Sequence, residues 1–226
     1  MKSFTRQNRR LASLALTVVS MCLGLSAQAQ TVLYNESWED NNDGWGTVSG
    51  ANMTLGGFST TFGVTEGNYS LILDGPASGG PNYADQFAST ASTALTAALA
   101  NSSSVTLEVY VPAGDFGYYL QWDLALNQQG GLGYASVDGY SYAQDATIGG
   151  ETTLTWTIPA SMQATLAANP TLATSVNFQI GGGFTSANDA VYLDDFTISQ
   201  APEPATLSLC GLGLATGLTF LRRRKA

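Results

Sequence analysis

The chain has no histidine, and its eight lysines and arginines all lie near its two ends, at Lys2, Arg6, Arg9, Arg10, Arg222, Arg223, Arg224 and Lys225. Between residues 30 and 201 there are sixteen Asp and Glu and no cationic side chain, a net charge of −16. Nucleic acid and other polyanions are excluded as partners of that stretch, because nothing in it can neutralise a phosphate. A Ser-His-Asp triad, a Cys-His pair, a lysine Schiff base and a histidine-ligated zinc are excluded with them. Cysteine is nearly missing too. Cys22 and Cys210 sit in terminal apolar runs, so the middle of the chain has no disulfide and depends on its core. At about 170 residues it is long enough for one such core. No carboxylate there can find a salt-bridge partner within the stretch. A buried one must accept hydrogen bonds, hold a proton or bind a metal ion.

What is present at the ends is an address. Lys2, Arg6, Arg9 and Arg10 precede an apolar run from Leu11 to Leu25, followed by "SAQAQ" with Ala27 and Ala29 at small-residue positions. A charged start, a short apolar core and an A-x-A site predict a secretory signal over residues 1–29, cleaved to leave Gln30 first. At the other end, the 17 residues Ala205 to Leu221 are apolar or small and lead into Arg222, Arg223, Arg224 and Lys225. That is a short membrane span with a cytoplasmic stop. Pro202 and Pro204 break regular structure ahead of it. The order Pro202-Glu203-Pro204, apolar span, arginine-rich end resembles the PEP-CTERM sorting signal. The resemblance implies an exosortase as processing partner, transient anchoring in the inner membrane, and a final place at the cell surface, the outer membrane or an exopolysaccharide biofilm matrix. A plain single-span anchor is the other reading of the same tail.

In between, apolar and polar residues alternate. "SVTLEVYV" (104–111), "YLQWDLAL" (119–126), "TLTWTI" (153–158) and "VNFQI" (176–180) each read as a strand with one buried face. Gly-, Asn-, Asp- and Ser-rich stretches at 74–82, 127–133 and 181–189 read as connections. Only "STASTALTAALA" (89–100) and "SMQATLAAN" (161–169) look helical. Many strands with one or two short helices predict an all-β fold, a single β-sandwich over residues 30–200.

The order "SWEDNNDGW" (37–45), "VTEGNYSLIL" (64–73), "VYLDDFTIS" (191–199) resembles the galactose-binding-like jelly roll shared by many carbohydrate-binding modules. Trp38-Glu39, Asp43-Gly44-Trp45, Gly67-Asn68-Tyr69-Ser70-Leu71 and Leu193-Asp194-Asp195-Phe196 occupy the places of its motifs. That resemblance implies a structural Ca²⁺ joining the first and last strands, with Glu39 paired to Asp194 or Asp195. The residues themselves add that Phe196 and Ile198 want the core while Val191 and Leu193 set another phase. A bulge at the Asp pair is therefore expected, leaving one carboxylate near the interior. An EF-type loop starting at Glu39 lacks its bidentate ligand, since the twelfth position is Gly50.

Trp122 and Trp156 are in phase with Leu and Ile and belong to the core. Pointing the other way are Glu108 and Tyr110 on one strand and Tyr119, Gln121 and Asp123 on the next. Flat aromatic faces beside amide and carboxylate acceptors suit sugar rings, with Tyr134, Tyr140 and Tyr142 as a loop wall. No E-x-D-x-E strand of a jelly-roll glycanase is present, so no catalytic residue is expected. The reading is a non-catalytic, carbohydrate-binding surface or matrix protein. A purely structural matrix protein and a glycan-cleaving carboxylate enzyme are the alternatives.

Overall fold

Alternating apolar residues close two antiparallel sheets face to face. The computed structural model describes residues 30–201 apart from 40, 49–52, 76–79, 115 and 185–188. The expected signal (1–29) and the sorting residues Pro202, Glu203, Pro204, Arg222, Arg223 and Arg224, with the span between them, lie outside the described residues. Val32–Ala201 forms one compact unit that carries its own core.

Twelve strands are described: β1 (Thr31–Glu36), β2 (Gly46–Thr47), β3 (Thr54–Ser59), β4 (Ser70–Asp74), β5 (Gly80–Ala88), β6 (Ser104–Val111), β7 (Phe116–Gln128), β8 (Gly133–Ser136), β9 (Gln144–Asp145), β10 (Gly150–Trp156), β11 (Ser175–Phe184) and β12 (Ala190–Gln200). Two helices join them, α1 (Thr93–Ala100) between β5 and β6 and α2 (Ala160–Ala168) between β10 and β11. Sheet A has the order β10-β6-β12-β4-β3, with β1 also paired to β12. Sheet B has the order β2-β5-β11-β7-β8, with β9 also paired to β7. The first and last strands thus meet in one sheet, and apart from β3–β4 and β7–β8–β9 consecutive strands cross between layers, as in a jelly-roll sandwich.

The strand faces follow the alternation. Val105, Leu107, Val109 and Val111 of β6 meet Leu120, Trp122, Leu124 and Leu126 of β7 in one buried cluster. Trp45 centres it, with ring centroids 5.2 Å from Phe87, 5.8 Å from Phe178 and 5.0 Å from Phe196. Each such aromatic pair adds about 1 kcal/mol to the apolar area it removes from water. The helices close one end. Ser92 caps α1 by accepting from the Leu95 amide at 3.1 Å, and the buried Thr96 hydroxyl lies 2.7 Å from the Leu172 carbonyl.

β11 departs from expectation. Gly181 and Gly182 read as loop residues but lie inside the strand, because β5 and β7 hydrogen-bond it from both sides. The cost is irregularity, since the register shifts between Ile180 and Gly182 against β5 and between Gly182 and Phe184 against β7.

Candidate ligand-binding site

The bulge expected at the Asp pair is present. The β12–β6 register shifts between Asp194 and Thr197, and Asp195 adopts φ +43°. The slip turns Asp194 inward, fully buried, under the loop that links β3 to β4. Its Oδ2 accepts from the Thr65 amide at 2.6 Å, the Glu66 amide at 2.8 Å and the Thr65 hydroxyl at 3.1 Å. Its Oδ1 accepts from the Asp195 amide at 2.8 Å. Burial raises the Asp194 pKa, and the Glu66 and Thr65 amides pull it back. Glu39 clasps the same loop further along, accepting from the Asn68 amide at 2.8 Å and the Tyr69 amide at 3.1 Å, and those amides hold its pKa down. Gly67 lies between, at φ +66°, where a Cβ would run into the Glu39 carboxylate. Asp195 accepts instead from Asn35 at 2.6 Å and the Thr197 hydroxyl at 2.7 Å.

Glu39, Asp194 and Asp195 therefore face three different sets of donors. Among the described residues no three His, Cys, Asp or Glu form a group able to hold a metal ion. Both Glu39 oxygens, both Asp194 oxygens and Asp195 Oδ1 already accept N–H or O–H hydrogen bonds, which the calcium site implied by the resemblance would have to share or displace.

The five expected ligand residues divide between the two layers. Glu108 and Tyr110 lie on β6 in sheet A, and Tyr119, Gln121 and Asp123 lie on β7 in sheet B. Two strands adjacent in sequence are opposite in space, so outward residues on each point away from the other. Glu108 accepts from the Thr153 hydroxyl at 2.7 Å. Tyr110 is overlaid by Phe62, with centroids 5.6 Å apart and planes within 7°.

Sheet B carries the richer face. Gln86 of β5, Gln179 of β11 and Asp123 of β7 are direct register partners across three strands. Two residues along, Gln121 of β7 stands opposite Gly181 of β11, which has no side chain, and opposite Asp145 of β9 on its other flank. On the other flank β7 pairs with β8 at Ala125–Gln128 and with β9 at Gln121–Trp122. Residues 137–143 bulge out between these two pairings, directly beside Asp123. Within the bulge Gly139, Tyr140 and Tyr142 all have positive φ, at +77°, +62° and +48°. For the two tyrosines this stores about 1–3 kcal/mol each and marks a segment held by its surroundings.

Three polar anchors hold it. The Tyr140 amide donates to Ser136 Oγ at 2.7 Å. Gln179 donates through Nε2 to the Tyr134 hydroxyl at 2.8 Å and accepts at Oε1 from the Tyr142 hydroxyl at 3.4 Å. Ser136 Oγ also lies 2.8 Å from Asp123 Oδ1 and 3.1 Å from Asp138 Oδ1. Asp123 is fully buried, and Oδ2 of both Asp123 and Asp138 is buried without a hydrogen-bond partner. Burial first, then the hydrogen bond with Asp138, push the Asp123 pKa up to about 7, against the pull of Ser136. Burial also raises Tyr134 and Tyr142.

The result is a face that presents Gln121 beside Tyr134 and Tyr140, which are 39% and 51% exposed, over the buried Gln179 and Asp123. Such rings offer flat apolar faces, and the Gln121 amide beside them offers an acceptor and a donor group. Ser136, Asp138 and Gln179 were not singled out in the sequence. Gln179 carries a signal, a long polar residue on the solvent phase of "VNFQI", but Ser136 and Asp138 become significant only through the bulge.

No family model matches the sequence, and no curated protein matches it significantly. Solved structures do. One, from work on the promiscuous specificity of carbohydrate-binding modules of the β-sandwich superfamily, is 14% identical, with a TM-score of 0.48 over 76% of this chain and 63% of its own. The chain thus spans just under two thirds of that protein's length. The C-terminal family 22 carbohydrate-binding module of Clostridium thermocellum Xyn10B is 15% identical, with a TM-score of 0.45 over 77% of this chain and 97% of its own. Caldicellulosiruptor saccharolyticus CBM27-1, solved in complex with mannohexaose, is 14% identical, with a TM-score of 0.46 over 76% and 97%.

Proposed function

We propose that the protein is an exported, non-catalytic β-sandwich that binds a polysaccharide chain along the outer face of sheet B. The observation that carries this is the placement of the exposed rings of Tyr134 and Tyr140 beside Gln121 on the outer side of sheet B, with the buried Gln179 beneath them holding the Tyr134 hydroxyl. Sugar C–H faces stack on tyrosine rings while hydroxyls bond to amides. With a net charge of −16 over residues 30–201, the domain repels uronate- or sulfate-bearing chains, so the ligand is a neutral glycan. Asp123, the most pKa-perturbed acid on this face, is fully buried and cannot touch a glycosidic bond, which argues against cleavage. The signal-like start supports export. The PEP-CTERM-like tail supports exosortase processing after a transient stay in the inner membrane, and a final place at the cell surface or in an extracellular polysaccharide matrix.

The test is calorimetric titration of residues 30–201 with neutral oligosaccharides, including xylo-, manno- and gluco-oligomers. Tyr134→Ala and Tyr140→Ala should each weaken binding about tenfold, the loss of one stacking contact. Tyr110→Ala, on the opposite sheet, should leave it unchanged. A folded domain that binds no neutral glycan would overturn the reading and leave a purely structural matrix role.

A further inference from the structure

The Ser136 hydroxyl has one proton and faces two carboxyl groups. It lies within hydrogen-bond distance of Asp123 Oδ1 and Asp138 Oδ1 while it already accepts the Tyr140 amide. It can donate to one carboxylate only. The other must bring a proton of its own or stand as a bare repulsive oxygen. The second oxygens of both acids are buried with no donor near them, and residues 30–201 contain no cation that could supply one. Two ionised carboxylates in this arrangement are strongly disfavoured, and one shared proton resolves it.

We propose that Asp123 and Asp138 share a single proton around the Ser136 hydroxyl, and that its loss lets the tyrosine loop 137–143 lift from sheet B, so that the ligand site is closed and ordered in mildly acidic surroundings and opened in alkaline ones. The step involves only that proton, which passes to water. Apart from the Ser136 hydroxyl, the titratable neighbours of the pair work in the same direction. Tyr134 of β8 and Tyr142 of the loop lie close enough for the Asp123 charge to raise their own pKa values. Gln179 and Asn177 of β11 are neutral, and the nearest strand on the other flank, β9, adds another acid, Asp145. Among the described residues no cationic side chain is present to stabilise a second negative charge. The loop is also built to move once released. It holds its left-handed Tyr140 and Tyr142 against their intrinsic preference, and one of its anchors, the Tyr140 amide bond, ends on the hydroxyl that sits between the two acids. Ionisation of the pair therefore strikes the point that closes the loop.

The proposal rests on the glycan-binding reading only for its consequence on the ligand. The test is a pH titration, from pH 5 to 9, of residues 30–201 by carboxyl-carbon and amide NMR, with glycan affinity measured in parallel. One proton should leave Asp123 near neutrality, with the Tyr140 and Tyr142 amides shifting or broadening along the same curve. Affinity should be about tenfold weaker at pH 8 than at pH 6. Asp138→Asn, whose amide donates permanently, should keep the loop signals in their acidic form across the range and flatten the affinity profile. Ser136→Ala, which removes the bridging hydroxyl, should shift the transition. An ordinary carboxylate titration for Asp123, or loop signals with the same pH profile in wild type and Asp138→Asn, would overturn the proposal. A loop transition without any glycan binding would uphold the switch and sink the glycan reading instead.

Discussion

Asp194 and Asp123 are both completely buried aspartates in a domain that has no cationic side chain to offer either of them. On sheet A, Asp194 receives four hydrogen bonds, three from main-chain amides and one from a hydroxyl. On sheet B, Asp123 receives one, from Ser136, and shares that donor with a second acid. Equal burial therefore leads to different chemistry. Amides are permanent donors fixed by the backbone, so Asp194 acts as a clasp, sewing the β3–β4 loop to the last strand. A neighbouring acid is a donor only while protonated, so the Asp123 pair is conditional on pH.

Removing the Asp194 clasp should have the largest effect. Asp194→Ala strips the Thr65 and Glu66 amides of their acceptor and opens the loop, and a loss on the order of 3–5 kcal/mol in urea unfolding is expected. A loss below about 1 kcal/mol would mean that the loop is held by other contacts. The next effect sharpens the difference between the two sites. The Asp123 pKa is raised in the folded state to about 7, so the native protein holds more protons than the unfolded chain at pH values between the ordinary carboxylate value and about 7. Stability from Asp123 is full at acidic pH, falls as pH rises through that window, and is flat above it. Glu36, pushed up to about 7 by burial and by neighbouring Asp43, adds a slope of the same sign. Asp123→Asn should flatten the profile by its share, on the order of a few kcal/mol, leaving the Glu36 part. Thermal melts at a series of pH values read this directly. The smallest effect concerns the metal. Chelation should leave the melting temperature unchanged, because the Asp194 charge is met by amides. A clear rise with added Ca²⁺ would return the ion to the Glu39–Asp194 loop.

Much of the sandwich could be read in advance. β6 spans the same residues that "SVTLEVYV" occupies, and the indoles of Trp122 and Trp156 are buried as their phase requires. The slip at Asp194 was legible because Phe196 and Ile198 could not share a phase with Val191 and Leu193. The ligand face was legible only in part. Tyr119, Gln121 and Asp123 do share one face of β7, yet Glu108 and Tyr110 belong to the other layer. Alternation tells which way a side chain points from its own strand, but not which sheet the strand joins. Gly181 and Gly182 misled for a related reason, since a glycine run reads as a loop unless strands on both sides claim its backbone.

The charge distribution, the strand periods and the terminal segments are properties of the chain itself, because each depends only on neighbours along it. From them alone come the all-β class, the exclusion of polyanions and of histidine, cysteine and lysine chemistry, and the expectation of export. What folding decided is how each buried acid is paid for its lost water. The sequence says that no salt bridge is available to Asp194 or Asp123, and nothing in it distinguishes them. Only the approach of a loop with free amides in one case, and of Ser136 and Asp138 across a strand break in the other, makes one a clasp and the other a titrating pair.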